Sequence, residues 1–223
     1  MIESLRVENF QDLVDCKSFL YQSRESFLKC SFQLLAGKTY GVVSDYGCGS
    51  WGLVTCLAGR GTKNHSGTVL INEKVMPINE LMQYSCFISE KYFPTVNSTQ
   101  NLLTPQKCIE KALSISNQSY SVSEIKEIFR LSDGRFERPL ENVSGEIWQI
   151  SMAINFSLGK EIFCYPWLNA FDISWFEIAC KSGIIDFLKS KGKIILVPSS
   201  QEKKIKKLCD HILKFYDGKF VFK

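Results

Sequence analysis

The sequence predicts an α/β fold on a mixed central sheet, with an antiparallel β part and a helical part. Three observations carry that prediction. Residues 41–59 read as a buried strand, a glycine turn and a helix. Strands alternate with helices through the last third of the chain, which implies a parallel sheet with right-handed crossovers. Between these lies a stretch of about 50 residues whose apolar positions follow helical spacing.

Taken in order, residues 2–10 alternate in polarity and read as a strand. Residues 26–35 read as a second strand, closed by Ala36-Gly37-Lys38 as a turn. Residues 39–43 are continuously apolar, as in a central strand buried on both faces. Residues 67–75 read as a strand, a turn and a strand start. From about 102 to 131 the pattern is helical. Ser121-Val122-Ser123-Glu124 resembles a capping box, and Asp133-Gly134 is expected to end that helix. Residues 145–158 read as a helix, 161–165 as a short buried strand, 176–189 as a helix and 193–198 as a buried strand. Residues 201–210 read as a helix with basic residues outward, and 211–222 as a hairpin with an Asp-Gly turn. No repeats, low-complexity tracts or linkers stand out. The expected organisation is one domain over 1–223. Segments 1–85 and 160–223 form the α/β core with its antiparallel part, and about 95–158 form the helical subdomain.

A chain of 223 residues is long enough to bury a full core, and its 45% hydrophobic and 22% charged content is that of an ordinary globular protein. The net charge of +4 permits an anionic surface as partner without demanding nucleic acid. No apolar run approaches the roughly 18 residues of a membrane span, and Met1-Ile2-Glu3-Ser4-Leu5-Arg6 has no signal-like apolar core. The nine cysteines lack C-x-x-C spacing and read as reduced cytosolic thiols rather than a disulfide framework. With only His65 and His211, no metal site is expected.

The segment 44–51 has the layout of a phosphate-binding loop, G-x-x-x-x-G-K-[ST]. Such a loop points successive N–H groups into one concavity at the positive end of a helix. Gly47 and Gly49 supply the turn. Ser44 stands at the first glycine, Ser50 at the lysine and Trp51 at the magnesium-binding hydroxyl. Ser50 is uncharged and too short to reach phosphate, and doing without a charge-assisted hydrogen bond costs about 1.5–3 kcal/mol. Trp51 cannot ligate magnesium and equally reads as a helix-start residue packing on a neighbour. The N–H groups of Gly47, Cys48 and Gly49 need no side chain and are expected to hold a phosphate weakly at best.

The order of parts resembles the ATP-binding-cassette (ABC) ATPase family over nearly the whole chain. Leu57-Ala58-Gly59 closes the loop helix as that family does, and His65-Ser66-Gly67-Thr68-Val69-Leu70-Ile71-Asn72 resembles its SGxVxIxG hairpin. Val143-Ser144-Gly145-Glu146-Ile147 lies where L-S-G-G-Q should open a helix. Asn169-Ala170-Phe171-Asp172 resembles the D-loop, and the segment 214–219 its last hairpin. The resemblance implies a P-loop NTPase-like ABC ATPase fold and assigns roles by position. Tyr165 stands at the metal-organising aspartate, Pro166 at the water-activating glutamate and Ser199 at the switch histidine. Glu90 stands at the Q-loop glutamine and Tyr21 at the adenine-stacking aromatic. Each has a plain alternative, Glu90 as a solvated acid and Tyr21 as a strand aromatic. Ser144 and Gly145 are either a partner-facing signature or a simple helix cap.

With the lysine, the magnesium hydroxyl, both acids and the histidine replaced, the expected function is a catalytically degenerate ABC subunit. It would serve as scaffold or regulator of an integral-membrane permease and of a competent ATPase domain, paired as homodimer or heterodimer. No catalytic residue is expected, and ATP with magnesium is expected to bind weakly or not at all. The expected location is cytoplasmic, peripheral on the inner face of the membrane. The alternative is a divergent but active ATP-binding and hydrolysing ABC protein using Glu90, Asp45 or Asp172. A nucleic-acid role rests only on Lys203, Lys204, Lys206 and Lys207, which lack the interleaved aromatics that stack bases, so no nucleic acid is expected.

Overall fold

The computed structural model describes residues 1–17, 22–62, 65–88, 103–143, 145–216 and 219–222. They form two compact units, one of Met1–Phe87 with Glu161–Lys223 and one of Ile88–Lys160.

The first unit contains two sheets. Strands β1 (Ser4–Lys17), β2 (Gln22–Leu35), β4 (Ser66–Ile71) and β5 (Lys74–Val75) form an antiparallel sheet in the order β2-β1-β4-β5. Here β1 and β2 run well past the expected limits of 2–10 and 26–35. The reason is a change of phase. In β1 the inward residues are Leu5 and Val7, then Phe10, Asp12, Val14 and Cys16. Register shifts on either side of Phe10, with Asn9 at φ 48°, insert the extra residue. A period of two read from the start of the strand therefore fails at that point. β2 flips likewise, from Glu25 and Phe27 inward to Cys30, Phe32 and Leu34 inward.

The second sheet joins β3 (Thr39–Val43), β6 (Ser85–Phe87), β7 (Ile162–Cys164), β8 (Ile194–Ser199), β9 (His211–Tyr216) and β10 (Lys219–Phe222), in the order β10-β9-β3-β8-β7-β6. Only the β9–β10 pair is antiparallel. β3 occupies the predicted residues and is buried throughout, as its unbroken apolar run requires. The turn residues 217–218 of the expected Asp-Gly hairpin lie outside the described residues.

Helix α1 (Ser50–Thr55) follows β3, and its helical path continues into a wider π-turn over Cys56–Arg60. It packs on β1 and β2 on one side and on β3 and β8 on the other. All six of its residues are buried. The single helix expected over 176–189 is two, α6 (Ile173–Lys181) and α7 (Ile184–Ser190). Gly183, at φ 82°, takes the left-handed conformation that separates them. α8 (Glu202–Leu208) lies between β8 and β9.

The second unit is helical, with α2 (Pro105–Ser116), α3 (Val122–Ile128), α4 (Asp133–Phe136) and α5 (Ile147–Ser157). The helical pattern expected over 102–131 is interrupted at Asn117, which is left-handed at φ 53° and ends α2. The capping box forms, with Ser121 Oγ accepting from Glu124 N–H at 3.2 Å and Glu124 Oε2 accepting from Ser121 N–H at 2.7 Å. Asp133-Gly134 opens α4 rather than ending the preceding helix, since α3 has already stopped before Arg130 at φ 54°. An acid is favoured in a first turn, beside the positive end of the helix. Helices α2, α3 and α5 pack on one another around Ile109, Ile125, Phe129 and Phe156.

Candidate functional site

The loop from Ser44 to Gly49 joins β3 to α1. Gly49, at φ 102°, makes the last turn before the helix. A side chain there would be strained in itself, and its Cβ would lie 2.6 Å from Phe27 Cβ. Glycine is thus demanded twice, by the backbone angle and by the close passage of β2. The same strand crowds the first turn of α1, where a Cβ on Gly52 would sit 3.1 Å from Glu25 Cβ.

Helix starts leave N–H groups without intrahelical partners, so each must be satisfied elsewhere. In this loop every one has a partner within the chain. Cys48 N–H donates to the Asp45 carbonyl at 3.1 Å. Ser50 N–H donates to Ser44 Oγ at 3.2 Å. The others converge on a single carboxylate. Gly47 N–H donates to Glu25 Oε1 at 3.2 Å, and Gly49 and Gly52 N–H donate to Glu25 Oε2 at 3.2 and 2.8 Å. Trp51 N–H adds to the set. Glu25 is fully buried. Burial pushes its carboxyl up from the usual carboxylate range, and the four backbone N–H groups pull it part of the way back. The donors at Gly47 and Gly49, expected from the sequence to be available to a phosphate, are therefore engaged by an acid of β2.

Ser50, at the lysine position, is fully buried, and its Oγ lies 2.8 Å from Ser44 Oγ. Ser44 Oγ in turn donates to the Asp45 carbonyl at 2.7 Å. Trp51, at the magnesium-ligand position, is fully buried in the core between the sheets, and its indole Nε1 has no hydrogen-bond partner among the described residues. The Tyr46 ring lies 6.3 Å from Trp51 and packs edge-on against Trp167 at 5.5 Å. Tyr46 Oη donates to the Gln22 carbonyl at 2.8 Å, which ties the loop to the far end of β2.

The neighbouring strands carry neutral groups at the positions assigned to acids. Tyr165, just past β7, is fully buried and packs edge-on against Phe176 at 5.1 Å. Burial holds its phenol well above the ordinary tyrosine range, so it stays protonated. Pro166 follows it, also buried and without a titratable group. At the end of β8, Ser199 Oγ donates to the Leu168 carbonyl at 2.6 Å and accepts from Gln201 N–H at 3.0 Å. The first ties the end of β8 to the segment after β7, and the second turns the chain. In the segment 169–172, Asn169 Oδ1 accepts from Phe171 and Asp172 N–H at 2.7 and 2.8 Å, and Phe171 is left largely exposed.

A solved structure of an ABC transporter, described as of metal-chelate type and in an inward-facing conformation, matches with a TM-score of 0.63. The match covers 99% of this chain and 83% of that chain at 16% sequence identity. The fold is ABC-transporter-like. No family model and no curated protein matches the sequence.

Within that ABC-like fold the signature-like segment lies in the helical unit. Gly145 is left-handed at φ 79°. Glu146 Oε1 accepts from Arg135 Nη1 at 2.8 Å, and its Oε2 accepts from Ser132 N–H at 3.1 Å, at the start of α4. Glu146 is thus paired with a cation within its own unit. Tyr21, Glu90 and Ser144 lie outside the described residues.

A magnesium-bound triphosphate does not fit the described residues of the loop. The hydroxyl at Ser50 is sealed, the ligand position holds a buried indole, and the N–H groups already face a carboxylate. Glu25 is a residue that sequence reasoning missed. Its only signal there is an acid in phase with the inward residue Phe27, two positions on.

Proposed function

We propose that this chain is an ABC-type nucleotide-binding domain that does not hydrolyse ATP, and that it acts through its surfaces as scaffold or regulator. Its partners would be a membrane permease and a competent ATPase domain. The observation that carries the reading is Tyr165. A fully buried, protonated phenol stands at the position that the family resemblance assigns to the metal-organising carboxylate, with Pro166 beside it. Neither can take a proton from water at neutral pH. The ABC-transporter-like fold supports the choice of partners, and the mismatch between the loop and Mg-ATP supports the loss of activity. On this reading 1–223 is one such domain, with 1–85 and 160–223 as its α/β core and about 95–158 as its helical part. No helix among the described residues is long and apolar enough to cross a membrane.

Two measurements test this. Purified chain should give no phosphate release from Mg-ATP above a Gly49→Ala control. Affinity purification of the tagged chain from membranes should recover an integral-membrane subunit. Turnover that disappears in the Gly49→Ala variant would overturn the first claim, and recovery of the chain with no membrane subunit would overturn the second.

A further inference from the structure

We propose that Glu25 is a built-in occupant of the loop, an autoinhibitory contact in which the chain's own carboxylate takes the position of a bound phosphoanion. The proposal rests on reading residues 44–52 as a phosphate-binding loop, and it adds a residue and a regulation which that reading lacks.

The geometry is specific in three respects. First, both carboxylate oxygens are used, Oε1 by Gly47 N–H and Oε2 by Gly49 and Gly52 N–H. Such convergence of main-chain donors on one small oxyanion is what a nest of this kind provides for a phosphate. Second, the carboxylate arrives from outside the loop. Glu25 belongs to β2, more than twenty residues earlier in the chain, whereas an ordinary helix cap comes from the residue just before the helix. Third, the strand is fastened over the loop on both sides of the acid. Tyr46 Oη holds the Gln22 carbonyl at one end, and Phe27 closes on Gly49 at the other. β2 therefore works as a strap, with Glu25 as the group it inserts.

The consequence is that the loop's turn is held by the chain's own carboxylate. An added anion gains little from it, because the N–H groups from Gly47 to Gly52 are engaged. Removing the carboxylate while keeping the strand should leave N–H groups at Gly47, Gly49 and Gly52 open to a small oxyanion from solution.

The test compares wild type, Glu25→Ala and Glu25→Gln, with inorganic phosphate as probe and sodium chloride of equal ionic strength as control. Wild-type Tm should not respond to 20 mM phosphate, a concentration of about that order being enough to reveal millimolar binding. Glu25→Ala should lose roughly 5 °C or more, and phosphate should restore part of that loss and slow amide exchange at 47–52. A folded Glu25→Ala protein that phosphate does not move would overturn the proposal, as would a phosphate response in wild type. If Glu25→Ala does not fold, Glu25→Gln decides. Its amide fills the same space but turns one acceptor into a donor, so exchange at 47–52 should accelerate about tenfold or more. Unchanged exchange would overturn the proposal. A folded Glu25→Ala protein that phosphate does not move, alongside no ATP turnover in wild type, would remove this inference while leaving the proposed lack of hydrolysis standing, so the two fail separately.

Discussion

Ser44 Oγ and Ser50 Oγ lie 2.8 Å apart, both buried, at the two ends of the loop that joins β3 to α1. The pair closes the loop across its base. Ser50 is also the residue at which the phosphate-loop reading of the sequence puts a lysine.

A lysine placed there is therefore expected to harm rather than help. Ser50→Lys puts an ammonium into a fully buried position and breaks the hydroxyl pair with Ser44, at a cost of several kcal/mol. Trp51→Ser, which restores the hydroxyl, empties a core position and should cost about 3–5 kcal/mol. Chemical denaturation should show both losses. Isothermal titration should find no magnesium-dependent ATP binding in either variant, and micromolar binding in Ser50→Lys would show that the loop is open.

Gly49→Ala combines a left-handed backbone with a Cβ 2.6 Å from Phe27 Cβ. The backbone term is about 1–2 kcal/mol and overpacking adds about 1–3. Urea titration should report a loss of roughly 2–5 kcal/mol. A neutral outcome would mean that β2 does not press on the loop.

Glu202 links α8 to β9, through Lys206 Nζ at 2.7 Å and Lys214 Nζ at 2.6 Å. The hydrogen bond from Lys206, then that from Lys214, lowers its carboxyl to about 2. A depressed acid contributes stability that is present above its unfolded value and lost as pH falls through the folded one. The window is therefore about pH 4.5 down to 2. The site is partly solvated, so the contribution is expected near the surface-pair range of about 0.2–1 kcal/mol. Stability measured across that window should fall less steeply in Glu202→Gln than in wild type, and parallel curves would refute the linkage.

The nine thiols should separate sharply in reactivity. Burial pushes Cys16, Cys30 and Cys180 up to about 12 and Cys108 to about 11, and Cys56, Cys164 and Cys209 are raised as well. Thiolate, the reactive form, is thereby suppressed. Cys86 is buried, and Cys48 alone is exposed. Native protein treated with a thiol reagent at neutral pH should label first at Cys48, as mass spectrometry of peptides would show. Rapid labelling of Cys16 or Cys56 would mean that the space beneath β1 opens.

Legibility in the sequence followed the range of the forces involved. β3 could be placed to the residue because burial on both faces writes itself as an unbroken apolar run. The Ser121–Glu124 box was visible because capping is local. The split at Gly183 and the break at Asn117 were obscured by apolar residues that keep helical spacing on both sides of each. The far half of β1 was hidden by the phase change at Phe10. Glu25 was the least accessible, because its partners are main-chain N–H groups more than twenty residues away, and main-chain groups carry no sequence signature.

The placement of β3 has a further consequence, for how the chain is made. Its two neighbours in the sheet are β8 and β9, at residues 194–199 and 211–216. During synthesis the segment 39–43 must wait for some 150 residues to emerge before either edge can pair, while β1 and β2 can zip together almost at once. Until then Tyr40, Val42 and Val43 form an apolar strand with both edges open, which is the kind of segment that sticks to other chains or recruits a chaperone.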